Sequence, residues 1–236
     1  MNNLKNNLGY EWWESLLKAQ ATIQENFPDC ILVGGTASAL HCDHRISIDG
    51  DHVIADLKEK FDTVLHELER QAGWITNKIS PPVMILGSFE GIETGLRQLI
   101  REKPLETMTV RGIRIPTIKE MARIKGYLVV RRNATRDYLD FCALADKLGS
   151  SIIESMASMD DCYPQKGTET IMRQLCKQLA DPVPYDLKRV HLRQYKGLKE
   201  PYNEWGYISM RCRQISLLLV ERIVLGVEEG NDSPAP

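Results

Sequence analysis

The amino-acid sequence predicts an α+β protein in which a mixed β-sheet with flanking helices is followed by an α-helical C-terminal half. Three patterns support this prediction. Short apolar runs bounded by glycine or other turn residues, typical of buried strands, fall before about residue 116. Apolar residues at helical spacing occupy the N-terminus and the segments between those runs. Beyond residue 117 almost every segment has helical spacing, and 236 residues suffice for one well-buried core.

The first half alternates between helical and strand-like segments. Residues 10–26 carry tryptophan and aliphatic residues at helical spacing, and the apolar run at 30–33, closed by Gly34-Gly35, predicts a buried strand. Thr36 is predicted to cap the short helix that follows. The remaining predicted elements are a helix at 36–41, a strand at 47–55, an amphipathic helix at 56–72, and strands at 83–86, 91–96, 107–111 and 113–115.

The second half is predicted to be helical. Thr117 followed by Glu120 indicates a helix start with a capping box, in which each side chain bonds the backbone amide of the other residue. Helix breaks are expected near Asn133, Gly149 and Pro164, at 181–184 and at 197–201. We therefore divide the chain into an α/β core with an N-terminal helix at 1–116, a helical domain at 117–227 and a flexible, acidic tail at 228–236.

Composition limits the class of protein. The net charge is -2, so no global positive field indicates nucleic acid. The sequence contains no run of 18 apolar residues, so we expect no membrane-spanning helix. The N-terminus has no apolar signal core. We therefore expect a cytoplasmic protein without a membrane partner. The six cysteines are scattered without a CxxC pair, which predicts reduced thiols rather than a disulfide framework or a zinc site.

The residues with the clearest chemical meaning surround the second predicted strand. Gly34 and Gly35 let the backbone approach a ligand closely, and the helix that follows offers free N–H groups and a positive dipole end to a phosphate. The next strand carries Asp49 and Asp51, which point to the same face because side chains alternate along a strand. Two carboxylates side by side suit a hard cation such as Mg²⁺ or Mn²⁺, which also binds substrate phosphates.

A Gly-Gly turn followed after about a dozen residues by Asp-x-Asp is similar to the signature of the nucleotidyltransferase superfamily. Residues 44–47, 91–99, 123–125 and 131–141 resemble the AbiEii/AbiGii-type abortive-infection toxin family, and the similarity extends from about residue 30 to residue 149. This resemblance implies a minimal nucleotidyltransferase fold with a helical half. It also implies Mg²⁺-dependent transfer of a nucleotidyl group from a nucleoside triphosphate. The chain would then be the toxin of a toxin–antitoxin pair, with an antitoxin protein as partner and RNA such as tRNA as acceptor.

The resemblance also implies roles for individual residues. Glu93 matches the position of a third carboxylate, which would bind the metal with Asp49 and Asp51 and could accept the proton of the acceptor hydroxyl. Lys125 matches a lysine that can hold triphosphate, and is therefore predicted to be catalytic. The predicted nucleotide-binding residues are Gly34, Gly35, Thr36, Ser47, Lys125, Arg132 and Asp140.

Two residues depart from the family pattern and leave other functions open. Gly50 stands between the aspartates where a bulky apolar residue is usual, and His52 follows where an apolar residue is usual. Glycine weakens a strand interior, so the site could be looser or the strand bulged. One alternative is a binding module with a weakened metal site. Another is a nucleotidyltransferase that modifies a small molecule of the aminoglycoside type.

Charge is distributed unevenly despite the small total. Residues 97–136 contain eleven lysines and arginines and three glutamates, a net charge of +8, and residues 188–199 contain five basic residues and no acid. Each segment could be a solvated helix face. Because the first lies close to the predicted site in the sequence, we interpret both as a path for triphosphate and an RNA backbone.

Overall fold

The fold is built around a five-stranded mixed sheet with the order β1-β2-β5-β4-β3. A computed structural model describes the backbone of residues 2–226 and the side chains of residues 9–226. Strands β2 and β5 are parallel, and the other neighbouring pairs of this sheet are antiparallel. A separate hairpin joins β6 to β7. The strands are β1 Ile31–Val33, β2 Asp49–Ile54, β3 Trp74–Ser80, β4 Met84–Phe89, β5 Ile92–Gln98, β6 Thr107–Val110 and β7 Ile113–Pro116.

Helices flank the sheet and form the C-terminal half, so the predicted α+β class is confirmed. In the described part of the chain, a 3₁₀ turn occupies Leu192–Gln194 and a π-helical turn, Val220–Val224, follows the last α-helix. The α-helices are α1 Asn2–Asn26, α2 Gly34–Cys42, α3 Leu57–Arg70, α4 Ile118–Arg132, α5 Thr135–Leu148, α6 Ser151–Ala157, α7 Met159–Cys162, α8 Ile171–Ala180 and α9 Trp205–Leu219. None of these helices, within residues 2–226, is long and apolar enough to cross a membrane.

The central strand β2 divides its side chains between two environments. Gly50, His52 and Ile54 are buried on one face, whereas Asp49 and Asp51 are half-buried on the other. This alternation follows from the two-residue period of a strand. The register of β2 with β1 and with β5 runs without a break, so the strand is not bulged at Gly50.

The close packing of helix α1 on β2 explains why position 50 is a glycine. A Cβ atom at position 50 would collide with the side-chain amide of Gln20, which α1 presses against the strand. The same amide nitrogen lies 3.3 Å from the Thr94 hydroxyl oxygen on β5. Glycine at position 50 therefore brings α1 close to the sheet, and the looser site suggested by the sequence is not needed to explain it.

Helix ends largely follow the predicted signals, with corrections at two N-termini. The Thr117 hydroxyl accepts a hydrogen bond from the Glu120 amide, as predicted. The Glu120 carboxylate binds Arg101 and Arg123 instead of the Thr117 amide, so the capping box is half formed. Helix α2 begins at Gly34, two residues early, and the prediction that Thr36 caps it is wrong.

The predicted break at 181–184 opens a long irregular segment. Residues 181–204 contain a single 3₁₀ turn, so the expectation of an almost wholly helical second half is wrong for this stretch. Its backbone bonds other parts of the chain: the Ile46 amide donates to the Lys196 carbonyl oxygen, and the Lys199 amide donates to that of His44. We call residues 194–199 the strap. The predicted tail at 228–236 lies outside the described residues.

His52 is a buried imidazole whose desolvation is not offset by hydrogen bonds. It is fully buried, and neither ring nitrogen has a hydrogen-bond partner in the part of the chain that the structure describes. Burial disfavours the charged form and lowers the pKa of His52 from its ordinary value of 6.5 to about 3. Between pH 6.5 and about 3, His52 is therefore protonated in the unfolded chain but neutral in the folded chain. The free energy of unfolding consequently decreases as the pH falls through this range.

We predict that His52→Leu removes part of the acid sensitivity of folding. In the wild type this residue costs up to about 1.4 kcal/mol of unfolding free energy per pH unit between 6.5 and 3, and leucine has no proton to bind. Urea denaturation at pH 7, 6, 5 and 4 measures the effect. Leu32→Ala, at the residue paired with His52 on β1, is the control: it should lower stability by about 2–4 kcal/mol at every pH. Equal pH slopes for wild type and His52→Leu would contradict the prediction.

Candidate functional site

A cleft of about 640 Å³ lies where β1, β2 and β5 meet α4 and the strap. This volume is in the range of pockets that hold a drug-sized ligand. Its lining combines paired carboxylates with an excess of cations and several tyrosines. The charged lining residues are Asp49, Asp51, Arg45, Arg97, Lys125, Arg132, Arg136 and Lys196, and the tyrosines are Tyr127, Tyr163 and Tyr195.

The Gly34-Gly35 turn lines the cleft at the start of α2. Gly34 has φ of 72°, in the left-handed region, and a Cβ there would lie 3.3 Å from an Asp51 carboxylate oxygen. A Cβ on Gly35 would collide with the guanidinium of Arg45. Both glycines are thus required by the local geometry, and α2 begins in the cleft with its N-terminal amides available to an anion.

The two predicted metal ligands both line the cleft. The Ser47 hydroxyl donates to Asp49 Oδ1 over 3.1 Å, and the Arg97 Nε donates to Asp51 Oδ1 over 3.3 Å. Mg²⁺ is commonly held by one or two protein carboxylates, with substrate phosphates and water completing its shell. The donor set of Asp49 and Asp51 fits such an ion.

The predicted third carboxylate is near the pair but outside the cleft. Glu93 stands opposite Asp49 in the parallel β2–β5 register, so both side chains leave the same face of the sheet. Glu93 is exposed and does not line the cleft. Among the described residues no three histidine, cysteine or acidic side chains are grouped closely enough to hold one ion. The metal-ligand role of Glu93 stays a prediction.

Thr36 reaches the site through the backbone of β2. Its side chain is buried, and its hydroxyl donates to the Asp49 carbonyl oxygen over 2.5 Å. This bond holds the first aspartate against the start of α2. Because the Thr36 hydroxyl is committed inside the protein and does not line the cleft, its backbone amide is the group left for an anion, and the nucleotide-binding role of Thr36 stays a prediction.

A buried ion cluster lies behind the cleft. The Asp140 carboxylate on α5 accepts two hydrogen bonds from Arg45, at 2.8 and 3.0 Å, and one contact from His44 Nε2 at 2.8 Å. Lys125 Nζ lies 2.7 Å from Asp140 Oδ2 and 3.7 Å from Asp137 Oδ1. Asp140, Lys125 and Asp137 are each 1% exposed or less. The cluster joins the segment before β2 to helices α4 and α5.

Opposite charges decide the ionisation of Asp140. Burial alone raises the pKa of this carboxyl, but the charges of Arg45 and Lys125 and the bond from His44 outweigh it, so the pKa lies well below the usual range. For the guanidinium of Arg45, burial alone lowers the pKa, but the charge of Asp140 and its hydrogen bonds outweigh burial and raise the pKa above its ordinary value. Asp140 is therefore a fixed anion that positions cations.

These contacts make direct nucleotide binding less favourable for Asp140 and Lys125 and leave it open to Arg132, and all three roles stay predictions. Asp140 is shielded from the cleft by its own partners, so we assign it to positioning instead of binding. Lys125 borders the cleft, but its ammonium is held by two carboxylates, which disfavours direct triphosphate binding in this arrangement. Arg132 binds Asp137 through Nε at 2.7 Å, yet its side chain remains 35% exposed at the cleft. Arg132 is thus the member of the three that can contact a nucleotide.

Sequence reasoning missed the specific cleft positions of Arg45, Arg97 and the strap. Arg45 Cζ lies 5.7 Å from the ring centroid of Tyr195, and Lys196 Nζ lies 5.4 Å from that of Trp12. The alternation along β5 could have identified Arg97, because it shares the face of Glu93. Tyr195 and Lys196 come from an irregular segment far along the chain, and no local pattern places them.

The basic stretch at 97–136 is dispersed over the protein. Many of its cations are paired with carboxylates, so only part of the stretch lines the cleft, and its role as a path for triphosphate and RNA stays a prediction. Its cleft-lining members are Arg97, Lys125, Arg132 and Arg136. The ion pairs made outside the cleft are Arg101 and Arg123 with Glu120, Arg123 with Glu106, Lys103 with Asp161, Arg111 with Glu14, and Lys119 with Glu154.

The fold and the cleft together define an α+β protein with paired carboxylates beside a glycine turn, and two solved structures share its fold. JHP933 from Helicobacter pylori matches with a TM-score of 0.53 and 16% sequence identity, over 90% of this chain and 92% of that chain. A candidate nucleotidyltransferase from H. pylori matches with a TM-score of 0.54 and 17% identity, over 90% and 95%. At these identities the shared property is the fold.

Curated relatives match a smaller part of the chain. The mycolic acid-containing lipids exporter MmpL11 of Mycolicibacterium smegmatis is 31% identical over 129 residues. The heme uptake protein MmpL11 of Mycobacterium tuberculosis strain H37Rv is 33% identical over 129 residues. Each match covers 51% of this chain and 13% of the relative, so this chain spans about an eighth of those proteins. No family model matches the chain.

We predict that Asp140→Asn lowers the free energy of unfolding by about 3–5 kcal/mol, because Arg45 and Lys125 would remain buried with too little negative charge. Urea denaturation at pH 7 measures the loss. Asp56→Asn is the control: it opens the exposed ion pair with Lys60 and should have a far smaller effect. A loss below about 1 kcal/mol for Asp140→Asn would show that the cluster does not stabilise the fold as proposed.

Proposed function

We propose that this chain is an Mg²⁺-dependent nucleotidyltransferase, which moves a nucleotidyl group from a nucleoside triphosphate to an acceptor hydroxyl. The observation that carries the proposal is the pair Asp49 and Asp51 on one face of β2, beside the Gly34-Gly35 turn in a cleft rich in cations. The fold shared with a candidate nucleotidyltransferase supports it.

Each part of the cleft has a role in this proposal. Asp49 and Asp51 would hold Mg²⁺, which would supply charge stabilisation at the α-phosphate. The backbone amides at the start of α2 donate hydrogen bonds to phosphate oxygens, and Arg132 and Arg136 balance the charge of the triphosphate. The bond from the acceptor oxygen to the α-phosphorus forms as the bond to the β-phosphate breaks, and pyrophosphate leaves. Glu93 is our candidate for accepting the acceptor's proton.

We further propose an RNA acceptor and a toxin role with a cognate antitoxin. The resemblance of residues 30–149 to the abortive-infection toxins supports the toxin role. The exposed cations Lys188, Arg189 and Arg193 come just before the strap, whose residues line the cleft. This position supports an RNA path that leads to the cleft. Tyr185 is 64% exposed and is fixed by its backbone bond to Asn133 at the α4–α5 junction, where it could stack on a base.

Incubation with each of the four labelled triphosphates, in Mg²⁺ or Mn²⁺, tests the reaction. We expect label in total RNA, and a loss of roughly a hundredfold or more in Asp49→Asn and Asp51→Asn, because each removes a charge at the reacting phosphate. Asp62→Asn on the exposed side of α3 is the matched control and should retain the wild-type rate.

The same assay separates the alternatives. Label found only on added aminoglycosides would replace RNA by a small-molecule acceptor. Transfer to neither acceptor, with unchanged ion binding in Asp49→Asn, would support the binding-module alternative. Genes next to this one offer an independent test of the toxin role, since a small helix-turn-helix protein encoded immediately upstream is the expected antitoxin.

Glu93→Gln tests the third carboxylate. We expect a smaller loss of transfer rate than in Asp49→Asn, because Glu93 is exposed beside the pair instead of inside the cleft. A loss concentrated at low pH relative to the wild type would agree with a role in proton transfer. A rate equal to the wild type across pH 6–9 would remove Glu93 from the mechanism.

Salt dependence tests the RNA path. The double variant Lys188→Gln/Arg189→Gln should reduce the slope of log affinity against log salt by about 1.4, since each lost phosphate contact on a single strand contributes about 0.7. Fluorescence anisotropy with labelled RNA between 50 and 300 mM KCl measures the slope. The exposed pair Lys166→Gln/Arg173→Gln removes the same charge elsewhere and should leave the slope unchanged. Equal slopes in both double variants would place RNA on another surface.

A further inference from the structure

Arg97 forms an ion pair with one of the two proposed metal ligands. Its Nε donates to Asp51 Oδ1 over 3.3 Å, and its Nη1 donates to the Met84 sulfur over 2.8 Å. The Arg97 side chain is 44% exposed and that of Asp51 is 34% exposed. A pair this accessible to water is weakly held, so either partner can exchange for a stronger one.

The sheet makes room for this contact. Gly95 stands opposite Asp51 in the parallel β2–β5 register, and Arg97 stands opposite Val53, so all four residues belong to one face. A Cβ at Gly95 would lie 3.0 Å from Asp51 Oδ1 and 3.9 Å from Arg97 Nε. The absent side chain at position 95 therefore leaves the space in which the guanidinium reaches back to the aspartate.

Arg97 differs from the other cations in how it is held. Asp140 binds Arg45 and Lys125, and Asp137 binds Arg132. These two carboxylates lie behind the cleft and do not line it. Among the cleft-lining cations of the described residues, Arg97 makes the ion pair with a proposed metal ligand. A guanidinium and a divalent cation repel each other, and both need the same carboxylate.

We propose that Arg97 is a positioning residue that occupies Asp51 in the nucleotide-free protein and passes to the triphosphate when metal and nucleotide bind together. A triphosphate offers the planar guanidinium several oxygens in bidentate geometry, which are stronger acceptors than one exposed carboxylate oxygen. Arg97 thereby weakens the binding of metal alone and strengthens the binding of nucleotide. This inference rests on the proposed function, because it requires Asp51 to be a metal ligand.

Titration with Mn²⁺ in the absence of nucleotide tests the first half of the proposal. We expect Arg97→Gln to bind Mn²⁺ roughly five- to tenfold more tightly than the wild type, because it frees Asp51 and removes a positive charge. Arg97→Lys keeps the charge and should remain within about twofold of the wild type. Arg173→Gln removes an equal charge at an exposed position of α8 that does not line the cleft, and should change the Mn²⁺ affinity less than twofold.

Binding of inorganic triphosphate at saturating Mg²⁺ tests the second half, because Arg97 is proposed to leave Asp51 when metal and nucleotide bind together. We expect Arg97→Gln to bind this anion roughly tenfold more weakly than the wild type, through loss of a charge-assisted bidentate contact. Circular dichroism melting should show that the variant is folded. Mn²⁺ affinity equal to or below that of the wild type overturns the proposal, and so does unchanged triphosphate affinity.

Asp51→Asn separates failure of this inference from failure of the proposed function. If Asp51→Asn loses Mn²⁺ binding while Arg97→Gln behaves as the wild type, the metal site stands and the role of Arg97 is wrong. If Asp51→Asn binds Mn²⁺ as the wild type does, Asp51 is not a ligand, and the inference fails together with the metal site of the proposed function.

Discussion

The Asp140 carboxylate is the interaction on which the rest of the site depends. It neutralises Arg45 and Lys125 where water cannot, and so permits three segments distant in sequence to meet in the interior. The segment before β2 is held through Arg45 and His44, helix α4 through Lys125, and α5 supplies the anion itself. Because Gly35 packs against the Arg45 guanidinium, the position of the glycine turn also depends on this cluster. The shape of the cleft therefore depends on Asp140, a carboxylate that does not itself line the cleft.

Four of the five strands of the sheet and the paired aspartates could be predicted because their signals are local, whereas the edge strand β3, whose side chains are mostly exposed, is not among the predicted strands. The apolar run before Gly34 and the alternation around Asp49 each reflect one strand packing on one core. The irregular segment 181–204 could not be predicted in the same way, since its conformation is set by bonds to residues such as His44 and Ile46 far away in the chain. Its composition resembles a helix with breaks, and tertiary contacts overrode that preference.

The roles of charged residues were harder to predict than their positions. Lys125 and Asp140 were expected at the ligand, yet each is the other's partner in the interior. A sequence shows that charges are numerous but not which of them neutralise one another, because pairing depends on sequence separations as large as the 95 residues between Arg45 and Asp140. Glycine at position 50 likewise predicts a weakened strand when only the sequence is considered, whereas the Gln20 amide on α1 fills the space above it.

The backbone bonds between the strap and the segment before β2 have a consequence for synthesis of the chain. The Lys196 carbonyl and the Lys199 amide contact Ile46 and His44, residues made about 150 positions earlier. The strap wall of the cleft can therefore form only after most of the polypeptide has left the ribosome, and a nascent chain that already carries Asp49, Asp51 and Lys125 still lacks it. Long-range closure of this kind delays the finished cleft to a late stage of folding.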